Sequence, residues 1–247
     1  MTELLLIVPH PDDEVFGAGA LLARTAAAGG STAVLTLTRG AAGRTLGLCT
    51  REELPAVREA ELRAALDVLG VQDVTLADYQ DYVPDDDRGL PPHPGLSAVP
   101  EEELVELMVE VIERTQPKAV LTFPPNGSNG HPDHVVTSRL AQEAVRRAEH
   151  RVKALYFYAS DKLFEGPQRP GFLPEEQMRA LHLNPTHRFD AGDELAQKLS
   201  AIACHRTQAL SVLGFMRNMP ERLLVETFHR ALPPVADGAE VVRIARL

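Results

Sequence analysis

Apolar residues along this chain fall into two kinds of run. Short, nearly unbroken ones occur at residues 4–8 (LLLIV), 33–38 (AVLTLT), 74–77, 119–123 (AVLTF) and 154–158. Between them lie longer stretches whose apolar positions return every three or four residues. An unbroken run marks a strand covered on both faces, and the longer spacing marks a helix with one buried side. Helices are therefore predicted over residues 15–27, 52–69, 101–115 and 131–147. Gly29-Gly30 stops the first and Gly70 caps the second, while three glutamates open the third and Pro132 suits the first turn of the fourth.

The pattern weakens further on. Residues 186–190 read as a strand, 193–204 as a helix, and 223–228 as a late strand or helix. Residues 81–100, with prolines at positions 84, 91, 92, 94 and 100, read as loop, as do 124–130 and 166–174. The tail from Pro233 carries no pattern, and there is no internal repeat. Strands alternating with helices predict an α/β, Rossmann-like fold, a mostly parallel sheet with helices on both faces. A length of 247 residues fits one domain over 1–247, since ~100–200 residues make a domain. Ligands of such sheets bind beyond the carboxyl ends of the strands.

Charge and composition narrow the function. With 35 acidic and 25 basic side chains the formal net charge is −10, which argues against a nucleic-acid binder working through phosphate neutralisation. The basic residues, 21 Arg and 4 Lys, are scattered. No apolar run approaches the ~18 residues of a membrane span. The N-terminal apolar stretch lacks a basic leader and a small-residue cleavage site, so secretion is not expected and the compartment reads as cytoplasmic. Cys49 and Cys204 cannot build a disulfide framework or a cysteine zinc site, and read as small buried apolar residues.

Two clusters carry candidate chemistry. His10-Pro11-Asp12-Asp13-Glu14 directly follows the first strand, and His131-Pro132-Asp133-His134 follows the strand ending at Phe123. Together they offer three N/O ligands for Zn²⁺ with a fourth position left for water; Fe²⁺, Mn²⁺ or Co²⁺ suit the same donors. The plainer alternative makes Asp12 or Asp13 a helix cap and the two histidines surface residues at a helix start. Residues three apart share one side of a turn, whereas Asp12 and Asp13 must point differently. His93, His150, His182, His187 and His229 lack a supporting constellation and read as surface or loop residues. Asp78 and Asp81 could meet sugar hydroxyls but read more simply as ordinary loop aspartates, and Asp85, Asp86 and Asp87 read as a solvated run that lacks the flanking ligands of a calcium loop. Gly17-Ala18-Gly19 sits inside a helix pattern, which suits close helix–sheet packing better than a dinucleotide site.

PHPDDE after the first strand and HPDH after a later one resemble the LmbE-like (PIG-L) family of zinc-dependent N-deacetylases. Thr38-Arg39-Gly40, Arg58-Glu59-Ala60-Glu61 leading to Leu69-Gly70-Val71, and the stretch from Lys198 to His205-Arg206-Thr207-Gln208 extend the likeness over about residues 4–210, with Thr207 where the family has serine. The resemblance implies that His10, Asp13 and His134 hold the metal and that Asp12 is the general base. It makes Arg58 and His205 substrate-binding residues. His131 is the candidate to stabilise the oxyanion and protonate the departing amine, with Asp133 as the carboxylate sustaining its charge. Glu14 reads as a first-turn helix residue or hydrogen-bond acceptor. The implied substrate is a small N-acetylglucosaminide, cleaved to acetate and amine, and a homo-oligomer is compatible with the chain. The competing readings are a metal-dependent phosphoesterase, for which no second ligand cluster is evident, and a non-enzymatic sugar- or nucleotide-binding module.

Overall fold

Five successive apolar residues, Leu4–Val8, form strand β1, and every one is buried. Successive side chains of a strand point to opposite faces, so Leu4, Leu6 and Val8 enter one core and Leu5 and Ile7 another. The computed structural model describes residues 2–85, 89–164, 166, 169–236 and 239–245. After β1 come α1 (Asp13–Ala27), β2 (Thr32–Thr38), α2 (Leu54–Leu69), β3 (Asp73–Tyr79), β4 (Tyr82–Val83), β5 (His93–Pro94), α3 (Glu101–Thr115) and β6 (Ala119–Thr122). Then follow α4 (Gly127–Gly130), α5 (Pro132–Arg147), β7 (Ala154–Tyr158), α6 (Glu175–Ala180), β8 (His187–Asp190), α7 (Leu195–Cys204), α8 (Ala209–Asn218), β9 (Val225–Leu232) and β10 (Val242–Ile244).

Eight strands make one sheet in the order β10-β8-β9-β7-β6-β1-β2-β3. Only β9 runs against its neighbours; every other pair in that sheet is parallel. Helices α1, α2 and α7 cover the face that receives Leu4 and Leu6, and α3 and α5 cover the other. The fold is the expected α/β sheet with helices on both sides. The chain leaves β1 for β2 on one side and returns with β6 on the other, so the strand order reverses between β1 and β6. That switch point opens a crevice at the strand carboxyl ends, where both histidine-carboxylate clusters emerge.

Several sequence expectations change. Residues 81–100 are more than loop, since β4 and β5 pair as a small antiparallel hairpin followed by a 3₁₀ turn at Gly95–Ala98. The late strand-or-helix is a strand, β9, while α6, α8 and β10 had no clear periodic signal. Cys49 and Cys204 are half-buried rather than enclosed. His187 is a buried residue of β8, with Nδ1 2.8 Å from the Thr186 hydroxyl and its ring edge-on to Tyr156. Asp86 and Asp87 lie outside the described residues. The glycine expectation holds for Gly17, where an added Cβ would run into the Tyr158 ring. Among the described residues no helix is long and apolar enough to cross a membrane.

One ionic pair is fully enclosed. Lys198 Nζ of α7 lies 2.7 Å from Glu226 Oε1 of β9, and neither side chain is exposed by more than 1%. The Glu226 carboxylate also accepts the backbone N–H groups of Ala20 and Leu21 at 2.9 Å each. A buried charge is tolerable only when its lone pairs or protons are satisfied, and this cluster ties α1, α7 and β9 together.

Candidate active site

The segment leaving β1 turns sharply. Asp12 has φ 104°, in the left-handed region, and α1 starts at Asp13. The turn folds the Asp13 carboxylate back so that Oδ2 accepts the His10 N–H at 2.9 Å. In the second cluster His131 is the N-cap of α5, its Nδ1 accepting the Asp133 N–H at 3.2 Å. His134 follows within the first turn. His10, Asp12, Asp13, Arg58, His131 and His134 all line one cleft of about 1320 Å³.

Ligand-capable atoms of His10, Asp13 and His134 lie within 4.8 Å of one another. Asp13 spans the pair, with Oδ2 3.4 Å from His10 Nδ1 and Oδ1 3.6 Å from His134 Nε2. His134 Nδ1 is 3.0 Å from the Gly127 carbonyl, so it carries the proton and leaves the Nε2 lone pair facing Asp13. His10 Nε2 is 3.1 Å from Asp133 Oδ2, which leaves Nδ1 for an ion. Outer hydrogen bonds of this kind fix the tautomer and orientation of metal-binding histidines. Two imidazoles and one carboxylate, each so anchored, fit a divalent ion such as zinc. His10, His131 and Asp133 form a second group within the same 4.8 Å limit; because it shares His10, it is no independent second site.

Asp133 corrects an expectation. Its carboxylate bonds to His10, to the Tyr82 N–H at 2.7 Å and to the Leu96 N–H at 2.8 Å, while its hydrogen bond to His131 runs through its backbone. Gly95 makes room for this, since a Cβ there would collide with Asp133 Oδ1.

Burial opposes charge on His10, but Asp13 and Asp133 overcome it and hold the imidazole well above the ordinary histidine range. At His131 burial and the neighbouring His134 and His10 act together and push it well below; burial also lowers His134 despite Asp13. Asp13 falls below the usual carboxylate range, because His134 and His10 outweigh its burial. At Asp12 burial outweighs the attraction of Arg58, and the carboxyl is pushed up to about 7.

Arg58 is buried and lines the cleft, donating from Nη1 to the Gly40 carbonyl at 2.9 Å and from Nη2 to the Pro11 carbonyl, with Asp12 Oδ1 at 3.5 Å. Glu14 is a first-turn residue and a hydrogen-bond acceptor at once, its Oε2 receiving the Asp12 N–H at 2.9 Å. His205 is not where the resemblance implied. It is 1% exposed, absent from the cleft wall, and its Nε2 sits 2.6 Å from Glu14 Oε1. Asp81, read from sequence as an ordinary loop aspartate, is buried in the cleft wall with Oδ2 on the Ala42 N–H at 2.7 Å and Oδ1 without a hydrogen-bond partner among the described residues. A carboxylate just past the carboxyl end of β3 is the signal that marks it. Asp78 is largely exposed and paired with Arg39.

The chain is similar to known proteins over most of its length. Residues 5–145 match the family model described as PIG-L, GlcNAc-PI de-N-acetylase. A 1D-myo-inositol 2-acetamido-2-deoxy-alpha-D-glucopyranoside deacetylase 2 of Catenulispora acidiphila is 31% identical over 83% of this chain and 79% of its own. The corresponding deacetylase of Nocardia farcinica is 31% identical over 96% and 94%. Among solved structures, a conserved protein of Thermus thermophilus superimposes with a TM-score of 0.68 at 28% identity, over 96% of this chain and 97% of that one. The chain belongs to the PIG-L (LmbE-like) family and is an amidohydrolase of the N-deacetylase class.

Proposed function

We propose that this chain, as one domain over residues 1–247, is a zinc-dependent hydrolase that removes the N-acetyl group from an N-acetylglucosaminyl conjugate. The observation that carries the reading is the trio His10, Asp13 and His134 at the head of the cleft, with the Asp12 carboxylate beside it and unused as a ligand. The names of the relatives point to a glucosaminyl-inositol as the substrate class.

Bound zinc would polarise the acetamide carbonyl and acidify the attacking water. Asp12 takes the proton of that water, and its elevated pKa suits it to hold the proton and pass it to the departing amine. His131 accepts the Asp133 N–H at Nδ1, so its own proton sits on Nε2. Held neutral by burial and its positive neighbours, it serves as a hydrogen-bond donor to the developing oxyanion rather than as the acid expected from sequence. Arg58 holds the Pro11 carbonyl and faces the Asp12 carboxylate, and Asp81 Oδ1, enclosed 3.9 Å from His10 Nε2, adds a second carboxylate facing that imidazole.

The test is acetate release from a panel of N-acetylglucosaminides, with and without chelator, alongside metal per chain. Release that chelator abolishes, with near one zinc per chain, is expected. A metal-replete protein that releases no acetate from any glycoside overturns the reading, and two metals per chain with phosphate release would favour the phosphoesterase.

A further inference from the structure

Asp12 occupies a backbone conformation that an aspartate reaches only under strain, with φ 104°. Such a conformation persists where its surroundings over-determine it. Two hydrogen bonds do so here. Arg58 Nη2 holds the Pro11 carbonyl on one side, and Glu14 Oε2 holds the Asp12 N–H at 2.9 Å on the other. Glu14 is fully buried, so its second oxygen needs a partner as well. His205 Nε2 supplies it at 2.6 Å, from 191 residues along the chain. The other ring nitrogen of His205 has no hydrogen-bond partner among the described residues, so its polar bonding is directed at Glu14 alone. Two residues on, Thr207 clamps Glu61 through its N–H at 2.9 Å and its hydroxyl at 2.6 Å. Glu61 stands three residues from Arg58 on α2, so the circuit closes on itself. Glu14, Glu61, His205 and Thr207 are all absent from the cleft wall.

From this circuit we infer that His205, acting through Glu14, is a positioning residue for Asp12. It never meets substrate; it locks the Glu14 carboxylate so that Glu14 can fix the left-handed backbone presenting the Asp12 side chain to the cleft. Losing the imidazole leaves the buried Glu14 Oε1 without its partner beside Asp12 and Asp13, so that the carboxylate can rotate away from the Asp12 N–H. The inference rests on the reading of Asp12 as the proton acceptor, and its structural half can be tested without that reading.

The experiment compares His205→Ala, His205→Gln and His205→Asn for kcat, KM, zinc per chain and the crystal structure around Asp12. In His205→Ala, kcat should fall about thirtyfold or more while KM and zinc content stay within about twofold, the signature of an effect confined to turnover. Asp12 should leave the left-handed region in that crystal structure. His205→Gln, whose amide nitrogen reaches the place of Nε2, should recover most of kcat; His205→Asn, one methylene shorter, should not. An unchanged kcat with Asp12 still left-handed overturns the inference, as does a raised KM at full kcat or a loss of zinc. If the alanine variant does not fold, the other two decide, and equal rates with the same Asp12 backbone overturn it. Should the wild-type protein release no acetate at all, the functional reading falls, while the Asp12 backbone in the variants still decides the positioning role.

Discussion

Asp133 Oδ2 stands 3.1 Å from His10 Nε2, joining two residues 123 positions apart. The carboxylate of the second cluster thus orients the imidazole of the first that is proposed as a metal ligand. Outer partners of this kind typically govern about 10–100-fold in metal affinity, so Asp133→Asn should weaken zinc binding by that order. Competition against a chromophoric chelator measures it, and unchanged affinity would contradict the arrangement.

Gly95 touches no ligand, yet it has φ +64° and a Cβ there would strike Asp133 Oδ1. Gly95→Ala should therefore weaken zinc binding in the same direction as Asp133→Asn. In the double variant the two losses should be less than additive, because both act through one carboxylate.

Asp12 ties activity to instability. Its carboxyl is raised from an ordinary 3.8 to about 7. Between those values the folded metal-free protein holds a proton that the unfolded chain has released, so its stability falls as pH rises and the penalty is complete above about 7. Asp12→Asn removes the penalty, and asparagine tolerates a left-handed backbone. The variant should lose about 10²–10⁴-fold in acetate release. Its metal-free thermal midpoint should exceed wild type at pH 8, with the gain from charge removal gone at pH 4. A lower midpoint at pH 8 would refute the electrostatic account.

His10 should make zinc binding pH-dependent. With its imidazole held well above the ordinary range by Asp13 and Asp133, an incoming ion must displace a proton from it. Zinc affinity should weaken by up to about tenfold per pH unit on acidification, as titration calorimetry in buffers of different ionisation enthalpy would show through proton release. Zinc at 100 times its Kd should stabilise the fold by about 2.7 kcal/mol, readable as a rise in thermal midpoint that chelator reverses.

Lys198 and Glu226 give a stability test remote from the metal. Lys198→Met strands a buried carboxylate, a change that costs about 3–5 kcal/mol, and should lower the thermal midpoint sharply. Adding Glu226→Gln should recover part of the loss, since the amide oxygen can still accept one of the N–H groups of Ala20 and Leu21.

Where local pattern and tertiary environment agree, the elements are plain in the residues. The LLLIV run is β1, buried on both faces, and the spacing of 101–115 matches α3 end to end. Residues 209–218 gave no such signal because Ser211 and Gly214 interrupt the apolar face, and α8 buries little beyond Phe215. The two histidine clusters stood out because unlike ligand types are packed into few positions directly after apolar strands. Asp81 and the Glu14–His205 contact did not, since each depends on a neighbour far along the chain: the Ala42 N–H for one, an imidazole 191 residues away for the other. Asp133 was assigned to its sequence neighbour His131, whereas its carboxylate turns to His10 because the Tyr82 and Leu96 N–H groups draw it there.

The enclosed Lys198–Glu226 pair and the Thr207–Glu61 clamp divide the work between the two ends of the molecule. Among the described residues, every side chain grouped so that it could hold an ion belongs to the first 134 positions, whereas Lys198, His205, Thr207 and Glu226, which tie the helices behind the site together, arrive from beyond residue 190. Changes in that later stretch should therefore be felt first in the steadiness of the fold and in the Asp12 backbone, and only afterwards in the three proposed ligands.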